Sequence, residues 1–178
     1  IAESIKETKT AEVTFICTHN SRRSQFGQVW AHVAAHEAGL KDAVKCYSGG
    51  IEVTAAVAPT MAALERAGFE VTSSSDGDSN PVRHVVCPGS GVAPLDLFSK
   101  LYGDESNPQK GFVAVMTCDH ANEACPLVSG AKVRVPVMYV DPKKADGSAE
   151  EVAAYDATCA TIAAEMMHTM RCVARSIH

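Results

Sequence analysis

Apolar and polar positions fall into short, well-separated blocks along the chain. Glu12–Cys17 encloses the apolar run Val13–Ile16 and predicts a first strand. Ser24–Leu40 carries Phe26, Val29, Trp30 and Val33 at helical spacing and predicts a helix that ends near Gly39. Val44–Ser48 predicts a second strand, stopped by Gly49-Gly50. Pro59–Ala67 predicts a second helix, with Pro59 suited to its first turn and Gly68 to its C-terminal cap. Phe69–Val71 reads as a short extended piece. Residues 73–110 are the least regular: a polar loop over Ser73–Asn80, a strand over Val82–Val86, a short helix over Pro94–Tyr102 and a second loop over Gly103–Lys110. Two apolar strands follow, Phe112–Thr117 and Val133–Val137. Ser148 opens a long final helix, with Glu151 placed for a capping box and Val152, Tyr155, Cys159, Ile162, Met166 and Val173 on one apolar face. Residues 1–11 read as a polar lead-in, which leaves 12–178 as one domain with a longer irregular segment at 73–110.

Strands alternating with helices predict an α/β fold: a parallel sheet flanked by helices on both faces. Ligands in such folds bind beyond the carboxyl ends of the strands. Cys17 and Cys118 each close a strand, and Asp141 follows another, so three reactive groups are expected to meet in one crevice.

The 178 residues suffice for a single core, and the net charge of −5 with no Lys/Arg tract argues against a nucleic-acid binder. No apolar run reaches membrane-spanning length. Seven dispersed cysteines suit a reducing compartment and predict a cytoplasmic protein, with some thiols buried and some chemical.

The chemical signal lies in Cys17-Thr18-His19-Asn20-Ser21-Arg22-Arg23-Ser24. A cysteine at a strand end, five intervening residues, then Arg-Ser at a helix start can curl into a ring of backbone N–H groups around a tetrahedral oxyanion. An arginine fork can clamp two of the oxyanion oxygens, and the same positive field favours a thiolate at the floor of the ring. None of the other six cysteines has an arginine six residues on. Read as separate residues, Cys118 could be a core thiol, Cys125 a loop residue, and Asp141 a turn residue before Pro142. A zinc site from Cys118, His120 and Cys125 has unfavourable spacing and no second ligand pair.

With the late Asp141-Pro142, the Ser48-Gly49-Gly50 turn, Thr117-Cys118-Asp119 and Cys125-Pro126, this loop resembles the low-molecular-weight protein tyrosine phosphatase superfamily, and within it the thioredoxin-coupled arsenate reductases. The resemblance runs from about Glu12 to the final helix and implies a four-stranded parallel sheet. It implies Cys17 as nucleophile, Arg23 as oxyanion clamp and Asp141 as general acid. Thr18, His19, Asn20, Ser21, Arg22 and Ser24 would complete the oxyanion loop, with Asn20 holding its shape and Ser24 bonding the thiolate. Cys118 and Cys125 would be a shuttle pair in an exposed, mobile loop, re-reduced by a thioredoxin-like partner. No metal and no cofactor is called for. His19 stands where the reductases usually carry Gly, and Arg22 where they carry Cys. The function so implied is arsenate reduction. The rivals are hydrolysis of phosphotyrosine or small phosphoesters, and a non-catalytic oxyanion-binding or redox-sensing module.

Overall fold

The computed structural model describes residues 1–74 and 77–177. Its centre is a four-stranded, all-parallel sheet. The strands are β1 (Ala11–Cys17), β2 (Val44–Gly50), β6 (Phe112–Met116) and β7 (Ala131–Pro136), in the order β2-β1-β6-β7. Parallel pairing puts every carboxyl end on one edge. The β1–β6 register, Val13↔Val113 through Ile16↔Met116, sets the residues after β1 beside those after β6.

The period of two divides the sheet between two apolar layers. Val13, Phe15, Val113 and Val115 face α2 (Arg23–Glu37) and the long α5 (Glu151–Ile177), where Phe26, Val29, Tyr155, Ile162 and Met170 complete the larger core. Ile16, Phe112, Ala114 and Met116 face the other way, onto Ala121 of α4 (Asp119–Ala124) and Val128. Helix α3 (Ala58–Arg66) starts with Pro59 in its first turn and packs on α5.

Several expectations are corrected. Residues 1–11 are not a loose lead-in: they contain helix α1 (Ala2–Thr8), anchored by the buried Ile5 against the larger core. Ile1 and Ala2 pack on the same core, and Glu7 pairs with Lys132, so the short helix is held along its length. Pro94–Tyr102 forms no helix. β5 (Leu95–Leu97) pairs antiparallel with β4 (Arg83–Val86), which pairs with β3 (Glu70–Ser73), making a second, three-stranded sheet. Exposed Asp96 between half-buried Leu95 and fully buried Leu97 is a strand alternation, too short to recognise without its partner. Of the expected loop Ser73–Asn80, Ser75 and Asp76 lie outside the described residues. The Cys118–Cys125 segment is helical, because Cys118 Sγ caps α4 by accepting the Ala121 N–H. α5 starts at Glu151, three residues late, since Glu151 caps the Gly147 N–H and the Ser148 hydroxyl accepts from Glu150 N–H. Val152 consequently turns to solvent, whereas Tyr155, Cys159, Ile162, Met166 and Val173 are buried.

Candidate active site

β1 delivers Cys17 to the carboxyl edge of the sheet, and α2 begins at Arg23, so residues 18–22 must reverse the chain in one tight loop. The reversal turns on Asn20, whose φ of 48° is left-handed, a conformation asparagine tolerates better than most residues. Its buried amide is held at both ends: Nδ2 donates to Ser24 Oγ (2.8 Å) and Oδ1 accepts the Lys100 N–H (3.0 Å). Ser24 Oγ stands 3.1 Å from Cys17 Sγ. Because that oxygen already accepts from Asn20, its own proton is free to point at sulfur, and a bond donated to sulfur favours the thiolate.

The loop carbonyls are drawn outward. Thr18 O accepts the N–H groups of Ile51 and Glu52, His19 O accepts the Ser99 hydroxyl, Asn20 O accepts from Gln25 and Ser21 O from Thr60. In a planar trans peptide the C=O and the next N–H point in opposite directions. The N–H groups of residues 19–22 are therefore turned away from these partners, the arrangement an anion nest needs. The close approach of residues 51 and 52 depends on Gly50, where a Cβ would stand 2.6 Å from the Glu52 carbonyl oxygen and 2.8 Å from that of Thr18.

The two consecutive arginines diverge. Arg23 Nη2 donates to Asp141 Oδ2 (2.5 Å) and Nη1 to the Tyr139 carbonyl (3.3 Å). Its Nε is buried with no hydrogen-bond partner among the described residues, a donor still available at the mouth of the loop. Arg22, expected in the oxyanion set, directs its guanidinium elsewhere: Nε donates to Tyr155 Oη (2.6 Å) and Nη2 to Asp146 Oδ2 (2.9 Å), while Tyr155 Oη also donates to Asp146 Oδ1 (2.8 Å). Burial opposes the Arg22 charge, but the Tyr155 bond and the Asp146 and Asp141 carboxylates outweigh it and raise its pKa. Burial pushes the Tyr155 phenol up to about 12, so it stays neutral within this network.

Asp141 combines both roles weighed for it. Oδ1 accepts the Lys143 N–H and caps the 3₁₀ turn Pro142–Ala145, while Oδ2 faces Arg23. His19 turns outward to Glu52 (3.1 Å), and Ser21 Oγ bonds Thr54 (2.6 Å). These two contribute backbone to the loop, and their side chains are engaged elsewhere.

The β1–β6 register sets residue 18 beside residue 118. Thr18 Oγ1 is 3.4 Å from Cys118 Sγ and 3.2 Å from His120 Nδ1. Cys17 and Cys118 share the smaller apolar layer, and both are buried. A cleft of about 480 Å³ joins Thr18 and Arg23 to Cys118, His120, Asp141 and Lys144. Cys125 is not in it. It ends α4 and lines a separate cavity of about 630 Å³ with Ile51, Tyr102 and Phe112. His120, Lys100, Gln25 and Tyr139 were not among the expected site residues. Lys100 and Tyr139 act through backbone groups distant in sequence, which leave no local pattern, whereas Gln25 bonds Asn20 O only five residues away.

Residues 12–83 match the model of the low molecular weight phosphotyrosine protein phosphatase family. An arsenate reductase of Halalkalibacterium halodurans is 28% identical over 139 residues, covering 78% of this chain and 79% of its own. Among solved structures, an arsenate reductase in the phosphate-binding state superposes with a TM-score of 0.58 at 14% identity, over 92% of this chain and 99% of its own. A thioredoxin-dependent arsenate reductase of Corynebacterium glutamicum gives 0.50 at 17% identity, over 96% of this chain and 69% of its own. At these identities the two structures establish a shared fold. No helix among the described residues is long and apolar enough to cross a membrane.

Proposed function

We propose that this chain is a thiol-dependent arsenate reductase of the low-molecular-weight protein tyrosine phosphatase superfamily, with Cys17 as the nucleophile, a reading supported by its likeness to these proteins. The observation that carries this reading is the position of a second thiol, Cys118, one hydroxyl away from the oxyanion loop. Hydrolysis of a phosphoester has no use for a thiol there, and reduction cannot proceed without one.

In the proposed sequence, arsenate occupies the ring formed by residues 18–23, with the free Nε of Arg23 turned onto its oxygens. Cys17 thiolate bonds to arsenic and Asp141 protonates the departing oxygen, which leaves as water. Cys118 thiolate then attacks Cys17 Sγ. The S–S bond forms as the S–As bond breaks, and its electron pair stays on arsenic. As(V) becomes As(III), and two thiols become one disulfide. Cys125 attacks Cys118 Sγ and frees Cys17.

That last step requires a change of shape. Seven residue steps along α4 carry Cys125 roughly 10 Å from Cys118 at ~1.5 Å rise per residue, and disulfides need Cα atoms within about 7 Å. α4 must therefore unwind as the second disulfide forms. A six-residue helix has little intrinsic stability to lose. The exposed product would be re-reduced by a thioredoxin-like dithiol, as the name of the Corynebacterium glutamicum relative states for that protein.

A phosphatase reading keeps one specific support: Cys17, Ser24, Arg23 and Asp141 alone would suffice for hydrolysis through a thiophosphate. One paired experiment separates the two. The reduced protein is incubated with arsenate, thioredoxin, thioredoxin reductase and NADPH, and in parallel with an aryl phosphate. Arsenate-dependent NADPH oxidation is expected. Aryl phosphate turnover without it assigns the chain to the phosphatases, and turnover of neither leaves an oxyanion-binding module.

A further inference from the structure

Cys118 is almost completely buried at the wall of the cleft, so its sulfur has little contact with bulk water to take its proton, yet the second step needs its thiolate. Among the described residues, the hydroxyl within hydrogen-bond reach of its sulfur is that of Thr18, at 3.4 Å, and the same oxygen lies 3.2 Å from Nδ1 of His120, which is exposed to solvent. A hydroxyl has one proton to give and lone pairs to accept another, so it can link the two groups. We propose that His120, acting through Thr18, takes the proton of Cys118 and thereby arms the second thiol. The inference rests on the reductase reading and adds a residue that this reading does not require.

In the relay, Nδ1 is the unprotonated nitrogen of a neutral imidazole and accepts the Thr18 O–H, while Thr18 Oγ1 accepts the Cys118 S–H. One proton moves from Sγ to Oγ1 as another moves from Oγ1 to Nδ1, leaving a thiolate, an intact hydroxyl and an imidazolium. The Ala121 N–H, 3.4 Å from the sulfur, is already aimed at the new charge. When the thiolate displaces arsenic from Cys17, the departing arsenite needs protons, and the imidazolium at the cleft wall holds one. The other charged groups of that cleft are Arg23, Asp119, Asp141 and Lys144. Arg23 and Asp141 are paired with each other. The arrangement also couples the two steps in space: Thr18 follows Cys17 directly, so the residue that relays the proton belongs to the loop that holds the substrate.

The test follows disulfide formation in a single turnover. Reduced Cys125→Ser protein is mixed with arsenate at several pH values and quenched with acid, and the Cys17–Cys118 peptide pair is quantified by mass spectrometry. The same is done with His120→Asn, Thr18→Val and Thr18→Ser added. Circular dichroism confirms that each variant folds. His120→Asn and Thr18→Val are expected to slow the disulfide by about 10²-fold and to lose the limb of the pH profile that depends on imidazole. Thr18→Ser, which keeps the hydroxyl, is expected to restore both. If the parent forms the disulfide and His120→Asn forms it equally fast with the same pH profile, the relay is wrong and the reductase reading stands. If the parent forms no disulfide with arsenate, the reductase reading itself falls, and the relay with it.

Discussion

At the scale of single residues, most side chains of the site are already engaged in a single task, with Arg23 Nε left without a partner among the described residues. Ser24 receives from Asn20 and keeps its own proton available to Cys17, and Asn20 is itself held by the Lys100 N–H. Asp141 is the exception, because its two oxygens serve different masters: Oδ1 caps a turn and Oδ2 meets Arg23. Asp141→Asn is expected to keep the cap, since an amide oxygen also accepts from Lys143 N–H, and to lose the proton it would donate. Hydrolysis of phenyl phosphate should then fall by roughly 10²-fold or more, and that of nitrophenyl phosphate, whose leaving group needs no proton, much less. Equal losses on the two esters would leave Asp141 with the turn alone. The oxyanion loop was legible at this scale, because the spacing from Cys17 to Arg23 and Ser24 is contiguous in sequence. The direction of the His19 and Ser21 side chains was not. Their partners, Glu52 and Thr54, lie more than thirty positions away.

Among the elements, two short ones carry residues of the proposed chemistry. The 3₁₀ turn Pro142–Ala145 carries Asp141 at one end and meets Arg22 through Asp146 at the other. Arg22 thus ties the start of α2, the turn and Tyr155 of α5 together. Arg22→Ala should remove its bonds to Tyr155 and Asp146, which then keep only each other, and lower stability by about 1–3 kcal/mol. Urea denaturation measures this loss. Phosphatase activity with a poor leaving group should fall alongside, because the turn that positions Asp141 loosens. The second element is α4. Cys118→Ser and Cys125→Ser should each abolish thioredoxin-dependent arsenate reduction, but with different products. Cys118→Ser leaves no internal thiol to displace arsenite. Cys125→Ser still permits the attack by Cys118, so a Cys17–Cys118 disulfide should accumulate in non-reducing peptide maps. In the wild-type protein, formation of the Cys118–Cys125 bond should reduce the helical signal in far-ultraviolet circular dichroism as α4 unwinds.

For the whole molecule, burial sets the response to pH. Burial pushes the Cys46 thiol from 9.0 up to about 12, and burial together with Glu12 pushes Tyr47 from 10.0 up to about 12. Tyr155 is raised to about 12 as well, first by burial. All three stay protonated in the folded chain and ionise more readily once it unfolds. Between about pH 9 and 12 the native state therefore binds more protons than the unfolded state, and stability falls as pH rises. Below that window the groups are neutral in both states and the contribution is complete. Urea midpoints at pH 7, 8.5 and 10 should be level between the first two and lower at the third. Cys46→Ala should reduce the drop, and an unchanged slope in that variant would remove the thiol from the account.

Local pattern alone determined the strands of the main sheet, the three longer helices, the oxyanion loop between β1 and α2, and the placement of Cys17 and Cys118 at strand ends. These depend on periods of two and 3.6 and on contiguous residue types, which are written in the order of the chain. Only the tertiary structure decided the rest. Leu95–Leu97 became a strand because β4 offered it a partner, and α1 formed because Ile5 found the core. Cys125 went to a cavity of its own because α4 is helical and carries it away from Cys118. The division of labour between Arg22 and Arg23 shows the reason most directly. Arg22 is the non-helical residue before α2 and Arg23 its first helical residue, so the two side chains leave the backbone in different directions. Which of them turns to the substrate depends on where Tyr155, Asp146 and Asp141 stand, and these acceptors lie 133, 124 and 118 positions further along the chain.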